Sequence, residues 1–257
     1  MLNYIKSECY RAFHSKIVYI TAGLLAGLVL LYHMILYLFQ RYTPGFRYGT
    51  TSFSFSNLVS SPMIYCYLAF LIVAVLYESN NKNGTHKNSV AFGISRTSLF
   101  IGKCTTSLIT AFIILISTLA VYLISAFLLL EQKGPVTVTD LFLEIPAVSL
   151  VAVSALILGV FFLEFFDKTT TAILTWFVIM LFLPKIILYL GMKIDFLWPI
   201  ALWLPANFFS VEMYVNMENC MTVWDTVEGM MKCLICGGVS VLLFGTVSIF
   251  SLGKKEL

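Results

Sequence analysis

Residues 105–130 read TTSLITAFIILISTLAVYLISAFLLL, a stretch without a charged side chain. A helix of this length can cross the ~30 Å hydrocarbon core of a bilayer, because each α-helical residue adds about 1.5 Å. Other stretches of similar apolar character are residues 17–39, 58–77, 145–166, 171–191 and 230–252. The sequence therefore predicts one all-α, polytopic transmembrane domain over residues 1–257, with about six transmembrane helices.

The composition also indicates that lipid is the solvent of this chain. Of its 257 residues, 60% are hydrophobic and 11% are charged, and the mean hydropathy is +0.92. Soluble domains contain about 25% charged and about 45–50% apolar residues, so a soluble fold could not bury this much apolar surface. The net charge of +3 includes no dense Lys/Arg run, which excludes a typical nucleic-acid partner.

The distribution of Lys and Arg predicts the orientation in the membrane. With a cytoplasmic N-terminus, ten basic residues lie inside and six outside, and together they make the 16 in the sequence. The inner ones are Lys6, Arg11, Lys16, Lys82, Lys87, Arg96, Lys103, Lys168, Lys254 and Lys255; the outer ones are Arg41, Arg47, Lys133, Lys185, Lys193 and Lys232. The positive-inside rule then predicts a multi-pass plasma-membrane protein with both termini in the cytoplasm.

Two segments outside the predicted spans have unusual patterns. Residues 1–16 place apolar and polar side chains on different helical faces, which predicts an interfacial helix, with a continuation of the first span as the alternative. Residues 192–229 are too apolar for a free loop and are broken by Pro199 and Pro205. We expect this extracellular segment to be re-entrant or to lie on the outer face, with a seventh span through residues 196–211 as the alternative.

The spans contain few groups that could carry chemistry. Glu164, Lys185 and His33 are placed toward span ends, where interfacial placement or packing explains them, and Glu144 is placed outside the membrane. This scarcity argues against a proton-coupled carrier, which needs ionisable groups inside the bilayer. The CxxC pair Cys233 and Cys236 is interpreted as helix packing rather than as a metal site.

Enzymatic motifs are absent from the sequence. It contains no HExxH and no GxSxG, and no catalytic or metal-binding residue is predicted. A phosphate-binding GxxxxGK[ST] loop is also missing, because Thr97 stands where the first Gly would be and Cys104 follows Gly102 and Lys103. We therefore expect a protein that is not an enzyme and cannot hydrolyse ATP by this route.

The most informative polar stretch is residues 78–103, ESNNKNGTHKNSVAFGISRTSLFIGK, predicted to be a cytoplasmic loop. A Gly relieves a turn and a following Thr caps a helix, so a short helix is predicted near His86, with an amphipathic piece at 87–94. The residues that define the pattern, in order along the loop, are Glu78, Gly84, Thr85, Ser95, Arg96, Gly102 and Lys103.

With this loop, the sequence resembles the ABC-2 type transporter permease family. The resemblance covers the whole chain in topology, and the residue pattern is confined to the loop. It implies that residues 78–103 hold a coupling helix, that Glu78, Gly84, Thr85, Ser95, Arg96, Gly102 and Lys103 couple it to an ATPase, and that short extracellular helices precede the last span.

The resemblance also implies partners and a function. Two separate ABC ATPase subunits would hold ATP and Mg, and a second permease copy or a sibling permease would complete an exporter. The cargo would be amphipathic, with a peptide antibiotic as the first guess, because the compact chain resembles the permeases of bacteriocin and lantibiotic self-protection.

Two other functional classes stay open at this point. A self-sufficient secondary transporter or channel would move its substrate without nucleotide. A membrane-embedded enzyme would turn over a substrate with no ATPase present. An ATP-binding subunit encoded next to this chain would favour the permease.

Overall fold

The computed structural model describes residues 2–82 and 95–254. Five of the described helices are long and apolar enough to cross a membrane, and a bent pair of helices forms a sixth such unit. Regular β-structure in the described chain is limited to one pair of two-residue strands. The predicted all-α, polytopic membrane architecture is therefore confirmed.

The main helices of the bundle are 9 to 34 residues long. They are α1 (Leu2–Phe13), α2 (Lys16–Tyr42), α3 (Thr51–Val59), α4 (Met63–Lys82), α5 (Arg96–Leu129), α6 (Val138–Phe165), α7 (Thr169–Phe177), α8 (Leu183–Gly191) and α11 (Val227–Lys254). A π-helical turn, Val178–Phe182, joins α7 to α8 as one span. Successive spans run antiparallel, so the bundle has one end that holds α1, the α1 end, and an opposite far end.

The second predicted span, residues 58–77, is wrong as a single helix. The chain breaks after Val59, and α3 and α4 are bent by 72° to each other. Pro62 supplies the physical reason, since proline lacks an N–H and disfavours helix at the residue before it. Helix α4 begins at Met63, and α3 is a separate short helix, capped by Thr50 Oγ1, which accepts the Phe53 N–H at 3.3 Å.

The third span also differs from the prediction at its start. The helix begins at Arg96, not near residue 105, because Ser95 acts as its N-cap and accepts the Ser98 N–H on Oγ at 3.3 Å. Gly102 and Lys103 therefore lie inside α5 rather than in a loop that opens it. With 34 residues, α5 is about 51 Å long, so it extends beyond a ~30 Å hydrocarbon core.

Pro184 lies inside the fifth predicted span, where proline favours a kink or an early end of the helix. The structure has a π-helical turn next to it. This turn, Val178–Phe182, comes directly before Pro184, and the Leu183 N–H bonds to the Val178 carbonyl across it. A widened turn of this kind removes the clash and the missing hydrogen bond that proline causes inside a helix. The helix then continues to Gly191, so the span does not exit early at Pro184.

Residues 192–226 cover the far end with short elements instead of a seventh span. They are α9 (Leu197–Leu202), α10 (Pro205–Val211), the hairpin β1 (Tyr214–Val215) and β2 (Cys220–Met221), and a 3₁₀ turn (Val223–Asp225). Helices of six and seven residues reach only about 9–10 Å. Buried Asn207 fixes this cover to α8, because its Nδ2 donates to the Pro184 carbonyl at 2.8 Å.

Helix α6 is the centre of the bundle. In its most apolar stretch 61% of residues are buried, against 17% for α2 and 22% for α11. Its contact with α11 depends on Gly237, where an added Cβ would lie 2.5 Å from Leu150 Cβ. The peripheral helices leave large apolar side chains exposed, such as Leu24 and Leu28 on α2, as expected of surfaces that face lipid.

Candidate functional site

Only some of the predicted coupling residues fall within the described chain. Gly84, Thr85 and the predicted helix at 87–94 lie outside it. Glu78 belongs to the C-terminal part of α4, Ser95 is the N-cap of α5, and Arg96 is the first residue of α5. Gly102 and Lys103 follow in the second turn, so four of the predicted residues share the start of one helix.

The start of α5 packs directly against the N-terminal helix. A Cβ added to Gly102 would lie 2.5 Å from Tyr4 Cε1, so only glycine allows this close approach. Farther along, Cys9 Sγ lies 3.7 Å from Thr106 Oγ1. We call this contact, formed by Tyr4, Cys9, Gly102, Lys103 and Thr106, the α1–α5 junction.

A buried ion pair joins the junction to the central helix. Lys103 Nζ donates to Glu164 Oε1 in the last turn of α6, and the two side chains are only 11% and 9% exposed. Lys103 Nζ also lies 4.9 Å from the centre of the Tyr77 ring on α4. Lys103, paired with Glu164, thus links α4, α5 and α6 at the α1 end. The sequence had placed Glu164 at an interface.

A cavity of about 350 Å³ lies beside the junction, under α1. Its polar lining includes Lys103, Thr106 and a Glu8–Arg11 ion pair within α1. Burial, followed by the neighbouring Glu8 carboxylate, raises the pKa of the Tyr4 phenol, so Tyr4 is neutral at physiological pH. The junction therefore has polar and charged groups whose charges are largely paired within the chain.

A second polar group lies inside the bundle toward the far end. His33 on α2 is fully buried, with Nδ1 2.6 Å from Ser125 Oγ and Nε2 2.8 Å from Ser54 Oγ. The Tyr122 hydroxyl donates to the Ser54 carbonyl at 2.7 Å. These residues, His33, Ser54, Tyr122 and Ser125, are named here the buried polar cluster, and they tie α2, α3 and α5 together.

Glu144 is buried, which its charge did not predict. It was expected on the outer side of the membrane, and it lies in the second turn of α6 with a completely buried side chain. The Tyr65 hydroxyl on α4 donates to Glu144 Oε2 at 3.4 Å, and Oε1 has no hydrogen-bond partner among the described residues. Burying a carboxylate with so little compensation is unfavourable, which marks Glu144 as a functional candidate.

The sequence contained one signal for Glu144 that its charge obscured. Glu144 lies one, two and three turns before the buried Val148, Val151 and Ala155, on the same face of α6. His33 offered no such signal, because its serine partners are 21 and 92 residues away in the chain. Its burial could be seen only once the helices were packed.

The cysteines and other ionisable side chains carry no metal site in the described part of the chain. Cys233 and Cys236 are buried and free, and Cys236 Sγ donates to the Trp203 carbonyl at 3.2 Å. The candidate sites are therefore the α1–α5 junction, which holds predicted residues, and the Tyr65–Glu144 pair, which was not predicted. Neither a scan against protein-family models nor a search of curated proteins found a match to this chain.

Proposed function

We propose that this chain is the membrane-spanning permease subunit of an ABC-type exporter. It moves an amphipathic cargo, with a peptide antibiotic as the first guess, and uses ATP hydrolysed by a separate ATPase subunit. The observation that carries this proposal is the α1–α5 junction. It holds the helix that immediately follows the coupling segment firmly against α1, α4 and α6.

The junction supports coupling because it connects the end of the proposed coupling segment to the bundle core. Residues 83–94 are followed in the chain by Ser95, the N-cap of α5. A force on this segment therefore acts on the start of α5. Gly102 and Lys103 bind that start to α1 and to α6. A displacement by a partner subunit is thereby passed to the central helix instead of being absorbed at a loose helix end.

The continuity of α5 supports transmission across the membrane. The helix is unbroken from Arg96 to Leu129, so Lys103 and Tyr122 are fixed about 29 Å apart along one axis. Tyr122 belongs to the buried polar cluster with α2 and α3. Movement at the α1 end therefore changes the packing of three helices near the far end.

The proposal includes a specific assembly. Two ATPase subunits, each with bound ATP and Mg, dock at the α1 end, and a second copy of the chain or a sibling permease completes the path. Both termini and residues 83–94 lie in the cytoplasm of a cell whose plasma membrane holds the protein. The basic side chains at the α1 end support this orientation.

Substitution of Gly102 tests the junction. In Gly102→Val the new side chain collides with Tyr4 and separates α1 from α5, so we expect transport to fall at least about tenfold while the ATPase stays associated. The measurement is survival of cells exposed to peptide antibiotics, with co-purification of the ATPase from the same cells. Gly253→Val is the matched control, because Gly253 has open space around it.

Two results would contradict the proposal. One is unchanged transport in Gly102→Val at normal abundance. The other is a tagged chain that purifies from its native membrane without any ATPase and transports in vesicles that contain no nucleotide.

A self-sufficient cation- or proton-coupled carrier is the second candidate function. The fully buried Glu144 favours it, because ionisable residues inside the bilayer often mark ion pathways. In vesicles that contain the chain alone, an imposed cation or proton gradient would then drive transport. Glu144→Gln would abolish that transport, and the permease proposal expects none to begin with.

A further inference from the structure

An apolar groove runs along the surface of the bundle between α5 and α6. It has a volume of about 180 Å³, and its floor includes Ala69 on α4. Phe112 and Ile116 on its rim are 62% and 51% exposed, so the groove opens toward lipid. It extends from Leu108 to Leu119, about 16 Å along α5. This distance matches the length of one long alkyl chain.

The far end of this groove leads to the Tyr65–Glu144 pair. The Tyr65 side chain lines the groove, and its hydroxyl donates to Glu144 Oε2. Ile145 and Val148, which line the same groove, follow Glu144 by one and four positions along α6. The groove is thus apolar along its length, and behind Tyr65 lies a buried carboxylate whose Oε1 has no hydrogen-bond partner within residues 2–82 and 95–254.

The chemistry of these two parts selects one class of ligand. The apolar wall accepts an alkyl or acyl chain, and the carboxylate oxygen lacks a donor. An ammonium group supplies both the missing donor and the opposite charge, and hydrogen bonds between charged groups are stronger than neutral ones. An alcohol would supply only a neutral donor, and a carboxylate would be repelled.

We propose that the groove and Glu144 form the binding site for the cargo, and that the cargo is an amphiphile, such as an acylated peptide, that carries one alkyl or acyl chain and a protonated amine. Its chain lies between α5 and α6, and its ammonium binds Glu144 after the Tyr65 side chain, which lies between the groove and this fully buried carboxylate, moves aside. The word cargo rests on the proposed export function, but the binding itself requires neither nucleotide nor an ATPase.

Binding of two simple probes tests the site. The purified chain in phosphatidylcholine nanodiscs is equilibrated with dodecylamine or with dodecanol, and empty nanodiscs correct for partition into lipid. We expect dodecylamine to bind the wild type about tenfold or more tightly than dodecanol. In Glu144→Gln the two probes should bind equally, and Glu228→Gln, which changes an exposed carboxylate at the start of α11, should keep the preference.

A second variant keeps the test valid if Glu144→Gln folds poorly. Ser149 is exposed and lines the groove, so Ser149→Trp fills the groove without disturbing the core. We expect weaker binding of both probes, whereas Ile124→Trp, on an exposed part of α5 outside the groove, should bind normally. A preference for the amine that survives Glu144→Gln, or normal binding by Ser149→Trp, would overturn the proposal.

A further binding measurement decides whether the site takes a cargo amine or the amine of a membrane lipid. In nanodiscs that contain phosphatidylethanolamine, binding of dodecylamine should persist, because the site serves a single-chain cargo. Its loss would assign the groove to a membrane lipid and overturn the cargo assignment. No ATPase is present in these measurements, so they are independent of the export test. Amine binding can be found even if the export proposal fails, and export can be found even if the amine does not bind.

Discussion

Two carboxylates on α6 show how differently a single residue type is used in this bundle. Glu164, in the last turn, is paired with Lys103 and holds the α1 end together. Glu144, in the second turn, accepts a long hydrogen bond from Tyr65, and its other oxygen has no partner in the part of the chain that the structure describes. The first therefore has a structural explanation within the chain, and the second lacks one.

The Lys103–Glu164 pair should contribute strongly to stability. Glu164→Gln leaves the Lys103 charge buried and unpaired, so we expect a loss of about 3–5 kcal/mol in the free energy of unfolding. Thermal unfolding of the purified protein in detergent measures this loss. Replacing both partners, as in Lys103→Met with Glu164→Leu, should restore most of it.

The exposed pair Lys133–Glu131 provides the control for this prediction. Its side chains are 72% and 49% exposed, although the Lys133 ammonium lowers the pKa of the Glu131 carboxyl. Water screens such a pair, so Lys133→Gln should leave the unfolding temperature nearly unchanged. Equal effects of Lys133→Gln and Glu164→Gln would show that the buried pair has no special role.

At the scale of elements, the spans could be predicted from apolar stretches, but their ends could not. Arg96 and Lys103 made residues 96–104 resemble a loop, although Ser95 caps a helix there and Glu164 compensates Lys103. The break before α4 had a visible signal in Pro62. The buried polar cluster had none, because its contacts join residues far apart in the sequence and depend on packing.

Helix contact between α6 and α11 can be tested at two adjacent glycines. A side chain at Gly237 would collide with Leu150 and with the backbone of Val151, whereas Gly238 has nothing within 4 Å. We expect Gly237→Val to lower the free energy of unfolding by about 1–3 kcal/mol because it separates the helices. Gly238→Val, measured by the same thermal unfolding, should have little effect, and similar losses in both variants would contradict the close contact.

At the scale of the whole molecule, the orientation that the charge distribution predicts can be measured. A Cys introduced at Asn81, near the end of α4, should be shielded from an impermeant thiol reagent in intact cells. A Cys introduced at Asn219, beside the β-hairpin, should be labelled. Labelling of the first from outside would reverse the proposed topology.

The native Cys220 is a poor reporter for this experiment. Burial, with the nearby Asp140 and Asp225 carboxylates, raises the pKa of its thiol to about 11. Because the thiolate is the reactive form, little of Cys220 reacts at neutral pH. Its replacement by Ser gives a background in which the introduced cysteines are compared.

The length of α5 has a mechanical consequence for the whole molecule. A rigid rod about 51 Å long that tilts by about 10° around its midpoint moves each tip by about 4 Å, in opposite directions. The bilayer thus acts as the pivot of a lever, with one arm reaching into water and the other reaching past Tyr122 to the far end. Leu108 to Leu119 of the groove lie within about 10 Å of the midpoint, so a swing that displaces both tips moves the groove wall by less than about 2 Å.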